Sequence, residues 1–126
     1  MKKVPRISEA EWVVMQVLWS RGPRTANEIV QELEGKVHWN PRTIRTLINR
    51  LLNKRAILFD KEGREYRYSS AVSEEQCARQ ERRSFLGRVY KGATKPMIAA
   101  FLDDARLSKK DIAELRAILE GKGKGK

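Results

Sequence analysis

Trp39-Asn40-Pro41-Arg42-Thr43-Ile44-Arg45-Thr46-Leu47-Ile48-Asn49-Arg50-Leu51-Leu52-Asn53-Lys54 carries the cleanest periodicity in the chain. Ile44, Leu47, Ile48 and Leu51 fall at i, i+3, i+4 and i+7, which lines them along one side of an α-helix. Asn40 offers a side-chain oxygen to cap that helix, and Pro41 suits its first position, where φ is already helical and no N–H is needed. The spacing predicts a helix from Pro41 to about Lys54. Its opposite side presents Arg42, Thr43, Arg45, Thr46, Asn49, Arg50 and Asn53, a face of guanidinium, hydroxyl and amide groups with no carboxylate.

Upstream, Ser8-Glu9-Ala10-Glu11 reads as a capping box with Ile7 and Trp12 placed as a hydrophobic staple, so a helix should begin at Glu9. It should stop near Ser20, ahead of Gly22-Pro23. Trp12, Val13, Val14, Met15, Val17, Leu18 and Trp19 cover almost its whole circumference, as expected of a helix central to a small bundle. Thr25-Ala26-Asn27-Glu28 repeats the box and opens a second helix whose Ile29, Val30 and Leu33 face inward, closing at Gly35.

Downstream, Ala56-Ile57-Leu58-Phe59-Asp60 and Glu65-Tyr66-Arg67-Tyr68-Ser69 flank Lys61-Glu62-Gly63-Arg64 and read as a β-hairpin turning at Gly63. Three helices followed by a hairpin is the order of a winged helix-turn-helix, predicted over residues 1–72. Ser73-Glu74-Glu75-Gln76 should cap a fourth helix to about Tyr90, Pro96 should open a fifth through Leu102, and Leu107-Ser108 with Asp111 should start a sixth ending near Glu120. Residues 73–120 therefore read as a helical dimerisation region in a mainly α protein. Its amphipathic helices are too short to make a domain alone, and a partner chain is the natural place to bury Phe85, Val89, Ile98, Phe101, Leu102, Ile112, Leu115 and Leu119. The Gly-Lys repeat at residues 121–126 is low in complexity and is expected to be a disordered tail.

With 126 residues, the chain is one small domain or two modules sharing a core, and large multidomain enzymes are excluded. One cysteine, Cys77, and one histidine, His38, leave no intrachain disulfide and no zinc-type ligand cluster. Neither a metal nor a cofactor is expected, and no set of nucleophile, base and orienting group points to an enzyme. Cys77 is expected to be buried and inert at a subunit contact, and His38 to serve packing or lie on the surface. No apolar run is long enough for a membrane span, and Met1-Lys2-Lys3-Val4-Pro5-Arg6 lacks the apolar core of a signal peptide, so a cytoplasmic protein without membrane insertion is expected.

The 27 Lys and Arg residues outnumber the 16 Asp and Glu, for a formal net charge of +11. The excess is concentrated: residues 1–35 are net neutral, whereas residues 36–67 carry nine basic and three acidic side chains. That segment is the electrostatic footprint of an anionic partner. An α-helix fits the major groove of B-DNA, where Arg pairs with guanine, Asn with adenine, and a Thr methyl meets the thymine methyl. Thr43, Arg45 and Thr46 are expected to face bases, Arg42, Arg50 and Lys54 to grip phosphate, and Arg64 and Arg67 on the wing to reach the flanking backbone or minor groove. A basic helix face by itself is commonly just solvated, but here it is third of three helices and followed by a basic hairpin. The competing readings are a sequence-indifferent nucleic-acid coating protein using the Lys tail, and a winged helix that binds proteins.

Ile7-Ser8-Glu9-Ala10-Glu11-Trp12, Leu18-Trp19, Thr25-Ala26-Asn27-Glu28-Ile29, Trp39 through Leu51, Gly63-Arg64-Glu65-Tyr66-Arg67-Tyr68 and Ser84-Phe85-Leu86 together resemble the penicillinase-repressor family, the BlaI/MecI/CopY group. The resemblance covers roughly residues 7–120. It implies a dimer of winged-helix domains that binds double-stranded DNA at an operator dyad and represses neighbouring genes until an upstream sensor or protease system inactivates it. By position, it implies DNA contacts from Arg42, Thr43, Thr46 and Arg50. In the β-lactam branch of that family the repressor is cleaved at an Asn-Phe bond, and the matching pair here is Ala100-Phe101, a departure that argues against induction by that route. The paired cysteines of the copper branch are absent from the Gly-Lys end. Arg55 stands where many relatives carry Gly, and a left-handed backbone there would cost about 1 kcal/mol.

Overall fold

The computed structural model describes residues 3–124 and divides the chain into two compact units, the first ending at Ser84 and the second starting at Phe85. Among the described residues the elements run α1 (Glu9–Arg21), β1 (Arg24–Thr25), α2 (Ala26–Leu33), α3 (Pro41–Asn53), β2 (Ile57–Glu62), β3 (Glu65–Ser70), α4 (Glu74–Tyr90), α5 (Thr94–Asp104) and α6 (Lys109–Lys124). This is the winged helix-turn-helix order followed by helices. No helix among the described residues is long and apolar enough to cross a membrane.

The helix starts follow from local chemistry. The Ser8 hydroxyl accepts the Glu11 N–H at 3.1 Å while the Ser8 N–H donates to the Glu11 carboxylate at 2.8 Å, and Thr25 with Glu28 repeats the reciprocal pair. Asn40 accepts the Thr43 N–H at 2.9 Å, Ser73 caps α4 through Gln76, and Ser108 caps α6 through Asp111. The Gly22 backbone ends α1 at a φ of 82°, a conformation that side chains rarely adopt.

The core of the first unit gathers Val14, Met15, Val17 and Leu18 of α1, Ile29 and Leu33 of α2, and Ile44, Leu47, Ile48 and Leu51 of α3. Ile57 and Tyr68 close it from the sheet, and Ile7 from the N-terminal arm. Trp12 and Trp19 meet edge to face with centroids 5.3 Å apart, and the Trp19 indole N–H donates to the Val72 carbonyl at 2.9 Å. These tryptophans are framework, as their spacing on α1 implied.

The sheet has three strands in the order β1-β3-β2, all antiparallel, with Glu62 opposite Glu65 and Thr25 opposite Arg67. Gly63 takes a φ of 62° at the first position of the two-residue loop, where a II′-type turn needs it. The hairpin is as read from sequence. The third strand, β1, was not, because two residues carry no alternation of their own and are defined only by pairing with β3.

Four further expectations need correction. Cys77 is buried as expected, but by the core of the first unit rather than by a second chain, and burial pushes its thiol pKa up. The compact first unit accordingly extends past the expected boundary at residue 72, because the opening turns of α4 pack with it. Residues 121–124, expected to be disordered, continue α6, since two glycines within an established helix weaken it without obliging it to stop, while Gly125 and Lys126 lie outside the described residues. The fifth helix starts at Thr94 rather than Pro96, placing the proline in its first turn, where no N–H is required.

In the second unit no residue of α5 or α6 is buried. Phe85 stacks on Phe101 with centroids 5.8 Å apart and meets Tyr90 edge to face. Val89, Ile98, Phe101, Leu102, Ile112, Leu115, Ile118 and Leu119 remain exposed. The Ala100-Phe101 bond lies within α5, in regular helical backbone.

Candidate nucleic-acid interface

Helix α3 displays its polar face because its apolar one is fully used. Ile44, Leu47, Ile48 and Leu51 are buried, and Arg42, Thr43, Arg45, Thr46, Asn49, Arg50 and Asn53 are all exposed. Four buried aliphatic side chains, each contributing about 1.5–3 kcal/mol, anchor the helix against α1 and α2. A polar side chain on the outer face therefore projects from a rigid base.

The structure sorts the expected contact residues into those that are free and those already engaged. The guanidinium groups of Arg42, Arg50 and Arg64 have no hydrogen-bond or ion-pair partner among the described residues. The Thr46 hydroxyl donates to the Arg42 carbonyl at 3.0 Å, which fixes its rotamer and leaves the exposed side chain able to accept but not to donate. Arg45 donates to the Asn27 side-chain oxygen, so the first turn of α2 steadies a residue of α3. Sequence reasoning missed this role for Asn27. The only signal was its place in the first turn of the preceding helix.

At the helix N-terminus fewer backbone donors are open than the bare helix suggests. Pro41 has none, the Thr43 N–H is taken by Asn40, and the Ile44 N–H donates to the Asn40 carbonyl at 3.3 Å. The Arg42 N–H remains for an anion, with the helix dipole behind it.

Lys54 is engaged within the fold. Its ammonium donates to the Arg6 carbonyl at 2.8 Å and to the Glu11 carboxylate, which is 2 % exposed. Burial pushes the Glu11 pKa up, but the Lys54 and Ser8 hydrogen bonds and the Lys54 charge outweigh it and hold the carboxyl below its ordinary value. Lys54 is therefore a tie between the end of α3 and the start of α1. Arg67 is also occupied, donating to Glu62 and to the Pro23 carbonyl, each at 3.2 Å. Arg67 and Arg24, behind the Thr25 N–H, help lower the pKa of Glu28.

Arg55 ends the helix with a φ of 65°, the left-handed conformation that its position after α3 raised as a source of strain. No group of three or more potential metal ligands occurs among the described residues.

The penicillinase repressor family profile matches residues 7–121. The chain is 40% identical over 120 residues to the penicillinase repressor of Bacillus licheniformis, covering 95% of this chain and 94% of that relative. It is 38% identical over 120 residues to the methicillin resistance regulatory protein MecI of Staphylococcus aureus (strain N315), covering 95% and 98%. Among solved structures, the DNA-binding domain of the repressor BlaI is similar at 42% identity and a TM-score of 0.53, covering 59% of this chain and 90% of that one. The Bacillus licheniformis BlaI monomeric form in complex with the blaP half-operator is similar at 41% identity and a TM-score of 0.53, covering 60% and 92%. A winged-helix unit with an acid-free recognition face, matched over nearly its whole length by repressors of this kind, belongs to the penicillinase-repressor family of transcriptional regulators, which is not a family of enzymes.

Proposed function

We propose that the chain is a homodimeric, sequence-specific DNA-binding transcriptional repressor that occupies a pseudo-palindromic operator, one α3 per half-site, and is released by an upstream signal. The observation that carries this reading is the exposed, carboxylate-free face of α3, flanked by the unpartnered guanidinium groups of Arg42, Arg50 and Arg64. The complex of the similar BlaI with a half-operator supports it. Thr43 and Thr46 would meet base edges with Arg45, while Arg42, Arg50 and Arg64 take phosphates. Lys54 acts through the fold instead.

The second unit supplies the dimer in this reading. Phe85, Val89, Ile98, Phe101, Leu102, Ile112, Leu115 and Leu119 would bury against the same residues of a second copy, as a two-fold interface requires. Two linked half-sites bind far more tightly than separate monomers, because the second contact becomes intramolecular. Any signal that separates the copies then releases the DNA.

The test is recovery of genomic fragments bound by the purified protein, repeated at higher salt. A few promoters sharing an inverted repeat should be retained, with affinity falling about 10³- to 10⁵-fold between roughly 50 and 200 mM salt for about 6–10 phosphate contacts. Uniform recovery that vanishes with salt would instead identify a basic coating protein. Thr46→Ala should weaken preference among sequences, whereas Arg64→Ala should weaken binding to all of them alike.

A further inference from the structure

A cleft of about 840 Å³ opens on the first unit between the N-terminal arm and the root of the wing. Val4 and Pro5 of the arm, Leu52 of α3, Leu58 and Phe59 of β2 and Val72 after β3 line it, with the Phe59 ring packed on Tyr66 at 4.8 Å between centroids. Its size lies within the range of small-molecule sites, which are mostly apolar with a few placed polar groups. Leu58 and Phe59 are 53% and 55% exposed on the edge strand β2.

The polar groups of the cleft are all cationic. Lys3, Lys54 and Arg55 line it and no carboxylate does. Lys54 offers only its stem, because its ammonium is held by Glu11 and the Arg6 carbonyl. The side chains of Arg55 and Lys3 have no hydrogen-bond or ion-pair partner among the described residues. Arg55 is moreover held at a φ of 65°, a strained position for a residue with a side chain, and such strain concentrates where a chain binds something.

We propose that this cleft binds an amphiphilic carboxylate, with its apolar tail laid against Leu52 and Leu58 and its carboxylate paired with Arg55. The planar guanidinium donates two parallel hydrogen bonds to a carboxylate, and Lys3 adds a second positive charge to the lining. The cleft joins the last turn of α3 to the first residues of β2, so an occupant bears on the angle between recognition helix and wing. On the repressor reading above, occupancy weakens operator binding, and by linkage operator weakens ligand binding by the same factor.

The probe is octanoate, titrated into the isotope-labelled full chain while backbone amide signals are followed, with octanol as the uncharged control. Shifts are expected at Val4, Leu52, Arg55, Leu58 and Val72, with octanoate binding about tenfold or more tightly than octanol. Arg55→Gln keeps the backbone conformation and removes the charge, so it should erase that preference while leaving octanol unaffected. Leu58→Glu, at an exposed strand position, should abolish octanoate binding. No shift at these amides, shifts confined to Ile98 through Leu119, or an undiminished preference in Arg55→Gln would each overturn the site. Operator binding is measured separately: loss of operator affinity without octanoate would refute the repressor reading and leave the cleft standing. Operator affinity unchanged by bound octanoate would refute the coupling alone.

Discussion

The two units of this chain solve the same problem differently. In the first, α1, α2, α3 and the sheet bury a set of aliphatic side chains from Ile7 to Cys77 against one another. In the second, α5 and α6 bury nothing, and Phe101 and Leu119 remain 52% and 59% exposed. The first unit has its own core, whereas the second leaves large apolar side chains on its surface, as interaction surfaces do. On the proposed function, DNA reading and assembly are separated along the sequence. Mutations should therefore divide cleanly between those that unfold the reader and those that uncouple two intact readers.

Leu119→Asp should produce the largest change. It places a charge on the exposed face of α6, should convert dimers to monomers in sedimentation, and should reduce operator affinity by about 10²- to 10⁴-fold, the size of the lost avidity. Thermal unfolding of the first unit should stay unchanged. If affinity and assembly both survive, the comparison between the units fails at its weaker half.

Leu51→Ala removes a side chain that is fully buried beneath α3 and should cost about 2–5 kcal/mol of first-unit stability in denaturant unfolding. The same truncation at Ile118, which is 65% exposed, should cost far less. Equal costs would mean that the second unit has a core of its own.

Glu11 and Lys54 give a smaller and pH-dependent effect. Lys54→Met leaves the buried Glu11 carboxylate without its cation and should cost about 1–3 kcal/mol. Because the Glu11 pKa is lowered by folding, its contribution is present above the ordinary carboxylate value near 4.5 and is lost as pH falls through the depressed folded value. The wild-type stability should thus decline in that acidic window more steeply than that of a Glu11→Gln, Lys54→Met double variant. Parallel pH profiles would show that the pair contributes no linkage.

Arg55→Gly should give the smallest change, a gain of no more than about 1 kcal/mol, as relief of the left-handed strain is partly offset by the greater freedom of glycine when unfolded. A clear loss of stability would mean that the Arg55 side chain makes a favourable contribution exceeding the strain.

What could be read from the sequence was local. Ser8 with Glu11, Thr25 with Glu28 and Asn40 with Pro41 announce helix starts within four residues, and the structure places α1, α2 and α3 at those starts. Gly63 likewise announced the turn of the wing. The polar face of α3 was legible because its apolar face was: Ile44, Leu47, Ile48 and Leu51 decide both. What could not be read depends on pairs distant in sequence. Strand β1 exists only against β3, and Lys54 meets Glu11 across 43 positions, so nothing near that lysine in the chain announces its tie within the fold. Cys77 offers the same lesson, since nothing near it in the chain says that the first turns of α4 return to the core of the first unit.

The most direct test of the division of labour is the affinity of the intact chain and of Leu119→Asp for an inverted-repeat site recovered from the genome, each compared with a single half-site on the same length of duplex. The account predicts that the intact chain prefers the full site by about 10²- to 10⁴-fold, whereas the variant binds each half-site of the full site with the affinity it shows for one alone. Equal affinity of the intact chain for full site and half-site would contradict it, because the second unit would then contribute nothing to how the first holds DNA.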